Sequence, residues 1–244
     1  MARFVRRMIE KVFASDFACE LGRKNQMRKS RNKKAVVHFR RPNCSQLFII
    51  FSGMDGFLLK GMIAGLGMLP FLKASGLADR NLIWIRDPYA DNLLHGLGPE
   101  IPDIPTLTEW LRQQIAELPR VTEVYVIGYS SGSYVALQFG HLLGVKKVWA
   151  FSPRTSRVRT AAVMKAALHD QFSVSNGVTE YEIGYADENL PDRSFAEFMS
   201  DCPGVSVRPY HGYGSTHFLM TAMVKDGSFR TVVPPFAGVT SDVT

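Results

Sequence analysis

A serine with glycines two residues to either side stands at Gly128-Tyr129-Ser130-Ser131-Gly132, directly after the apolar run Val124-Tyr125-Val126-Ile127 and at the head of a helical pattern. By itself a Gly-x-Ser-x-Gly pentapeptide arises by chance in roughly one such chain in eight. Its setting gives it meaning. A sharp strand-to-helix turn needs flanking positions nearly free of side chain, which Gly128 and Gly132 supply, and such a turn presents the Ser130 hydroxyl as a nucleophile. Serine is a weak nucleophile at neutral pH. A neutral imidazole must take its proton during attack and return it to the leaving group, while a buried carboxylate fixes the imidazole tautomer. The competing reading is a Gly-Ser turn without chemistry.

The elements that must position this serine are legible from residue 35 onward, where short apolar runs rich in β-branched and aromatic residues alternate with helical patterns. Strands are expected at Ala35 to Phe39, Leu47 to Gly53, Asn81 to Asp87, Glu123 to Tyr129, Lys146 to Ser152, Glu180 to Ala186 and Val205 to Tyr210. Several are apolar almost throughout, as in Phe48-Ile49-Ile50-Phe51, which suits parallel strands buried on both faces. Helices are expected near Gly56 to Ala74, Pro105 to Leu118, Ser131 to Leu142, Arg157 to His169, Arg193 to Met199 and His217 to Val224. The fold class is α/β: an open, mainly parallel sheet with helices on both faces, whose sites lie outside the carboxyl ends of the strands.

With the elbow in that order of elements, residues 35 to 225 resemble the α/β-hydrolase superfamily of serine esterases, lipases and thioesterases. In that family an acid follows a later strand and a histidine follows the last one. The resemblance implies Asp187, which ends Tyr181-Glu182-Ile183-Gly184-Tyr185-Ala186-Asp187, as the acid. It implies His217, which ends the Gly-rich stretch His211-Gly212-Tyr213-Gly214-Ser215-Thr216-His217, as the base. Each has a rival. His211 sits at the strand end itself, where a side chain more often packs locally, so His217 is preferred. Glu188 and Asp192 lie close to Asp187, but surface carboxylates are usually only solvated, and Asp187 comes first off the strand.

The resemblance also implies an oxyanion hole, whose donors contribute on the order of 3 kcal/mol each. One donor is the backbone N–H of Ser131, helped by the helix N-terminus; the other is that of Met54, in Phe51-Ser52-Gly53-Met54-Asp55-Gly56, the counterpart of the family's His-Gly-x loop. Ser52 replaces the usual histidine, and a plain glycine turn would use the same residues. Asp87 and His95, in Arg86-Asp87-Pro88-Tyr89 and His95-Gly96-Leu97-Gly98, are read as structural braces, with Tyr89 a residue of packing or of the pocket wall.

Composition bounds the rest. The chain has 244 residues, 46% of them hydrophobic, enough for a sizeable core without disulfides or a structural metal. Cys19, Cys44 and Cys202 are odd in number and far apart, which suits a reducing compartment and defines no zinc site. The formal charge of +7 is local: residues 1 to 41 hold 13 Lys plus Arg against 3 Asp plus Glu, and the remainder is net negative. The basicity therefore does not mark a nucleic-acid-binding domain. Phe4, Val5, Met8, Ile9, Val12, Phe13 and Phe17 recur at helical spacing among arginines, an amphipathic helix that either covers its own domain or meets an acidic partner or anionic membrane. The chain divides into this basic arm (1–34), the α/β domain (35–230) and a C-terminal tail (231–244) without periodicity. Charges within the arm interrupt any secretory leader, and Gly61 to Leu72 is too short to span a bilayer, so a cytoplasmic location is expected.

The reading of the whole is a hydrolase of acyl esters, of carboxylesterase or O-acyl esterase type, with Ser130, His217 and Asp187 as triad and with no cofactor and no metal. The substrate is a small-molecule acyl ester or thioester. The stretch between Ser152 and Glu180 has room for one crossover helix and at most a small lid, which favours a small or exposed acyl ester. Arg154, Arg157 and Arg159 could favour an anionic one, or be a solvated face. A thioesterase or acyltransferase using a carrier, and a binding protein without catalysis, remain open alternatives.

Overall fold

The computed structural model describes residues 35–53, 68–88, 92–153 and 159–234. The basic arm 1–34, Met54, Tyr89, Arg154 and Arg157 and the side chain of Arg159 lie outside what is described, as does the expected helix before Met68.

Seven apolar runs form one sheet: β1 (Val36–Phe39), β2 (Gln46–Ser52), β3 (Asn81–Arg86), β4 (Glu123–Tyr129), β5 (Lys147–Phe151), β6 (Glu180–Ala186) and β7 (Val205–Tyr210). Their spatial order is β1-β3-β2-β4-β5-β6-β7. All pairs are parallel except the edge pair β1–β3. Every residue of β2 and β3 is buried, because central parallel strands are covered on both faces.

The side-chain period of two divides the core. Leu47, Ile49, Phe51, Val126 and Ala150 face one layer, and Phe48, Ile50, Trp84, Ile127, Trp149 and Phe151 the other. The first layer takes the apolar faces of α2 (Ile104–Ala116), α3 (Ser131–Leu143), α4 (Arg159–Phe172) and α5 (Leu190–Phe198). The second takes those of α1 (Met68–Ser75), α6 (Leu219–Asp226) and α7 (Phe229–Val232). Helices α1 to α5 each lead from one strand to the next, so no element among the described residues forms a separate cap. No described helix is long and apolar enough to cross a membrane.

The expected boundary at residue 230 falls inside α7. Phe229 and Val233 are buried in the second layer, and the Arg80 guanidinium donates to the Pro234 carbonyl, so the packed chain continues to Pro234.

Register carries the chemistry to one edge. Tyr129 pairs with Phe151, Phe151 with Gly184 and Ala186 with Tyr210, so Ser130, Ser152, Asp187 and His211 each follow directly on the carboxyl ends of neighbouring strands. The end of β7 is fixed by Tyr210, whose hydroxyl donates to the buried Glu182 carboxylate at 2.8 Å. Burial, with that carboxylate beside it, pushes the Tyr210 phenol well above its ordinary range.

Candidate active site

Ser130 lies between β4 and α3 with φ +55° and ψ −126°, a conformation that costs an L-residue on the order of 1–3 kcal/mol. Its surroundings hold it there. The Ser130 N–H donates to the Phe151 carbonyl at 3.0 Å, and the Ser133 hydroxyl donates to the same oxygen at 2.7 Å, tying the turn to β5. A Cβ at Gly128 would collide with Ala136 and with the Gly132 carbonyl, and one at Gly132 would collide with the Phe51 carbonyl of β2. The two glycines thus let α3 lie directly on β4 and β2. Ser152, at the equivalent place after β5, also has positive φ and is fully buried.

Beyond β7, the loop at 211–218 brings His217 over the elbow. Its Nε2 lies 2.8 Å from Ser130 Oγ. Its backbone carbonyl accepts from the Tyr129 hydroxyl at 3.1 Å, so the residue before the serine also anchors the histidine. The Tyr129 and Phe218 rings flank the imidazole at 5.9 and 6.1 Å between centroids.

The carboxylate on His217 is that of Asp192, whose oxygens lie 3.0 and 3.2 Å from Nδ1. Asp192 has no solvent exposure and His217 retains 16%. A carboxylate so buried needs a partner that donates, which sets the tautomer: Nδ1 carries the proton and faces Asp192, leaving the Nε2 lone pair for the Ser130 hydroxyl. Donor, relay and acceptor are in line for a proton to leave Ser130.

Asp187, the acid that the resemblance implies, is not brought to His217. The β6–β7 register sets it directly beside His211, and its Oδ2 accepts from or pairs with His211 Nδ1 at 2.8 Å. His211 is 79% exposed there. Asp192 is the partner instead because α5 begins at Leu190, three residues before the expected start. Asn189 caps it, accepting the Asp192 N–H at 3.2 Å, with Pro191 in the first turn. That turn directs Asp192 into the protein. The signal was present as Asn189-Leu190-Pro191-Asp192, a helix-start pattern of a capping asparagine followed by proline.

Of the expected oxyanion donors, Ser131 opens α3, placing its backbone N–H at the positive end of a 13-residue helix beside Ser130. Met54 lies outside the described residues. Gly53, which precedes it, does approach the elbow: a Cβ there would sit 3.0 Å from Ser130 Cβ. Asp87 braces its own loop, accepting the Asn92 N–H at 2.7 Å and that of Leu93 at 3.3 Å.

No protein-family model and no curated protein matches the chain. Solved structures do match in fold. An alpha-beta serine hydrolase homologue from Coxiella burnetii superposes with a TM-score of 0.54 at 13% identity, covering 82% of this chain and 91% of its own. A structure of the metagenome-derived lipolytic enzymes LipS and LipT gives 0.52 at 8% identity, covering 81% and 97%. Est1E from Butyrivibrio proteoclasticus gives 0.50 at 15% identity, covering 81% and 93%.

Proposed function

The chain has the α/β-hydrolase fold, and on that scaffold we propose that it is a serine hydrolase cleaving acyl esters through an acyl-Ser130 intermediate. The observation that carries this reading is the continuous path from Ser130 Oγ through His217 Nε2 and Nδ1 to the buried Asp192, set on a serine of positive φ. Strain of that kind persists only where surrounding structure enforces it, and it is concentrated at functional sites.

In the reaction His217 Nε2 takes the Ser130 proton as Oγ bonds to the substrate carbonyl carbon, and the carbonyl π pair moves onto oxygen. The oxyanion faces the Ser131 N–H, and the family resemblance assigns the second donor to the backbone N–H of Met54. Collapse reforms the carbonyl and expels the alcohol, which leaves with the proton from His217. Water then repeats the sequence on the acyl-serine, releasing the acid. Asp192 stabilises the imidazolium formed in each half without taking the proton.

The substrate in this reading is a small or exposed acyl ester, since the stretch between β5 and β6 has room for one crossover helix, α4, and at most a small lid. The test is turnover of short-chain p-nitrophenyl esters and of acyl thioesters by the wild type and by Ser130→Ala. The proposal expects kcat/KM to fall by at least about 10³-fold in the variant. Equal turnover by the two proteins would overturn it.

A further inference from the structure

The acid and the base arrive on different segments, and one side chain touches both. Asn189 lies at the N-terminus of α5 and is 4% exposed. Its Oδ1 accepts the N–H of Asp192 at 3.2 Å, and its Nδ2 donates to the Ser215 carbonyl at 3.3 Å, two residues before His217. The network fixes the amide orientation: turned over, it would set NH₂ against an N–H and oxygen against a carbonyl.

The segment that carries His217 needs such a tie. Between the end of β7 and His217 stand Gly212 and Gly214, with φ of +84° and +57°, and a Cβ added at Gly212 would meet nothing within 4 Å. Glycines in open space leave the backbone many conformations. Besides the bonds of the His217 ring to Asp192 and Ser130, the segment is tied to other elements by Tyr213, whose hydroxyl meets Asp226 and Ser228, by the Asn189 bond to Ser215 and by the Tyr129 bond to the His217 carbonyl. Of these, the Asn189 bond alone links the segment to the start of α5 by an uncharged side chain.

We infer that Asn189 is a positioning residue that sets the distance between Asp192 and His217, and through it the aim of His217 at Ser130. Its effect on rate rests on the hydrolase reading above; its effect on the imidazole does not. Serine cannot do the same work, because one hydroxyl caps the helix but does not reach both groups. Aspartate keeps the shape and the capping oxygen but presents an oxygen, not a donor, to the Ser215 carbonyl. A misplacement of about 1 Å at a reacting group can cost about 100-fold in rate.

The experiment compares wild type, Asn189→Ser and Asn189→Asp by proton NMR, following the far-downfield Nδ1–H resonance of His217, assigned by its absence in His217→Asn. Asn189→Ser keeps a good N-cap residue, so its melting temperature should fall by about 4 °C or less. Asn189→Asp, which buries a carboxylate against a carbonyl, should fall further and is compared at a temperature where it is folded. The inference expects the resonance, sharp in the wild type, to broaden or vanish through faster exchange with water in both variants. In parallel kcat on a p-nitrophenyl ester should fall about 10- to 100-fold with KM within about twofold of the wild type. A resonance as sharp in both folded variants as in the wild type overturns the inference, whether or not the wild type cleaves an ester. Absence of turnover in the wild type, with the resonance lost in the variants, defeats the hydrolase reading and upholds the role of Asn189.

Discussion

Asp192 meets Nδ1 of His217 with both carboxylate oxygens, at 3.0 and 3.2 Å, from a position without solvent contact in the first turn of α5. A buried charge held this way is costly to remove on one side only. Asp192→Asn would present to Nδ1 either an amide hydrogen, which favours the wrong tautomer, or a neutral oxygen, which keeps the tautomer but stabilises the imidazolium far less. It should lower kcat/KM by about 10³-fold or more, whereas Asp187→Asn should lose less than about tenfold. Parallel kinetics on one ester check the ranking, and a larger loss from Asp187→Asn would return the acid to the strand end.

The two histidines of the same loop separate in the same manner. His217 reaches Ser130, while His211 is exposed and occupied with Asp187. His217→Ala should lose several orders of magnitude in kcat/KM and His211→Ala less than about tenfold. The reverse order would place the general base at the end of β7.

Much of the scaffold is written locally, and the acid is not. Runs such as Phe48-Ile49-Ile50-Phe51 specify a strand by composition and length, and β4, β6 and β7 begin and end at the expected residues. The elbow is legible because Gly128 and Gly132 answer to a backbone need within a few residues. Which carboxylate meets His217 depends instead on where α5 starts and how far it turns, and the three acidic groups Asp187, Glu188 and Asp192 look alike until a helix buries one. Asp187 stands first off its strand, yet parallel register gives its neighbour as His211.

Close packing at the elbow makes a stability prediction. A methyl group at position 132 would strike the Phe51 carbonyl, which is backbone and can move only if β2 and α3 part. Gly132→Ala should destabilise the fold by about 2 kcal/mol or more by chemical denaturation. Gly177→Ala is the reference: φ is +74° but a Cβ there meets nothing within 4 Å, so the cost should stay at about 1 kcal/mol. Equal costs would show that the elbow accommodates the methyl group.

Acid stability should depend on Glu123. Its carboxyl is held down at about 2, first by the hydrogen bond from Lys146 and next by that from the Gln46 amide. The folded-state pKa is thus below the ordinary carboxylate value of about 4.3, so this group stabilises the fold fully above that value and loses the contribution as pH falls towards 2. The stability difference between wild type and Glu123→Gln should be constant from about pH 8 to pH 5 and shrink below. A difference that does not change down to the acid limit would contradict the pairing.

On the hydrolase reading Ser130 is the group that bonds to substrate, and covalent labelling detects that bond itself. Native protein treated with a fluorophosphonate, digested and mapped by mass spectrometry should carry a single phosphonyl adduct on Ser130, absent in Ser130→Ala and slowed by orders of magnitude in His217→Ala. No adduct on the folded protein, or an adduct at another serine that persists in Ser130→Ala, would contradict the account.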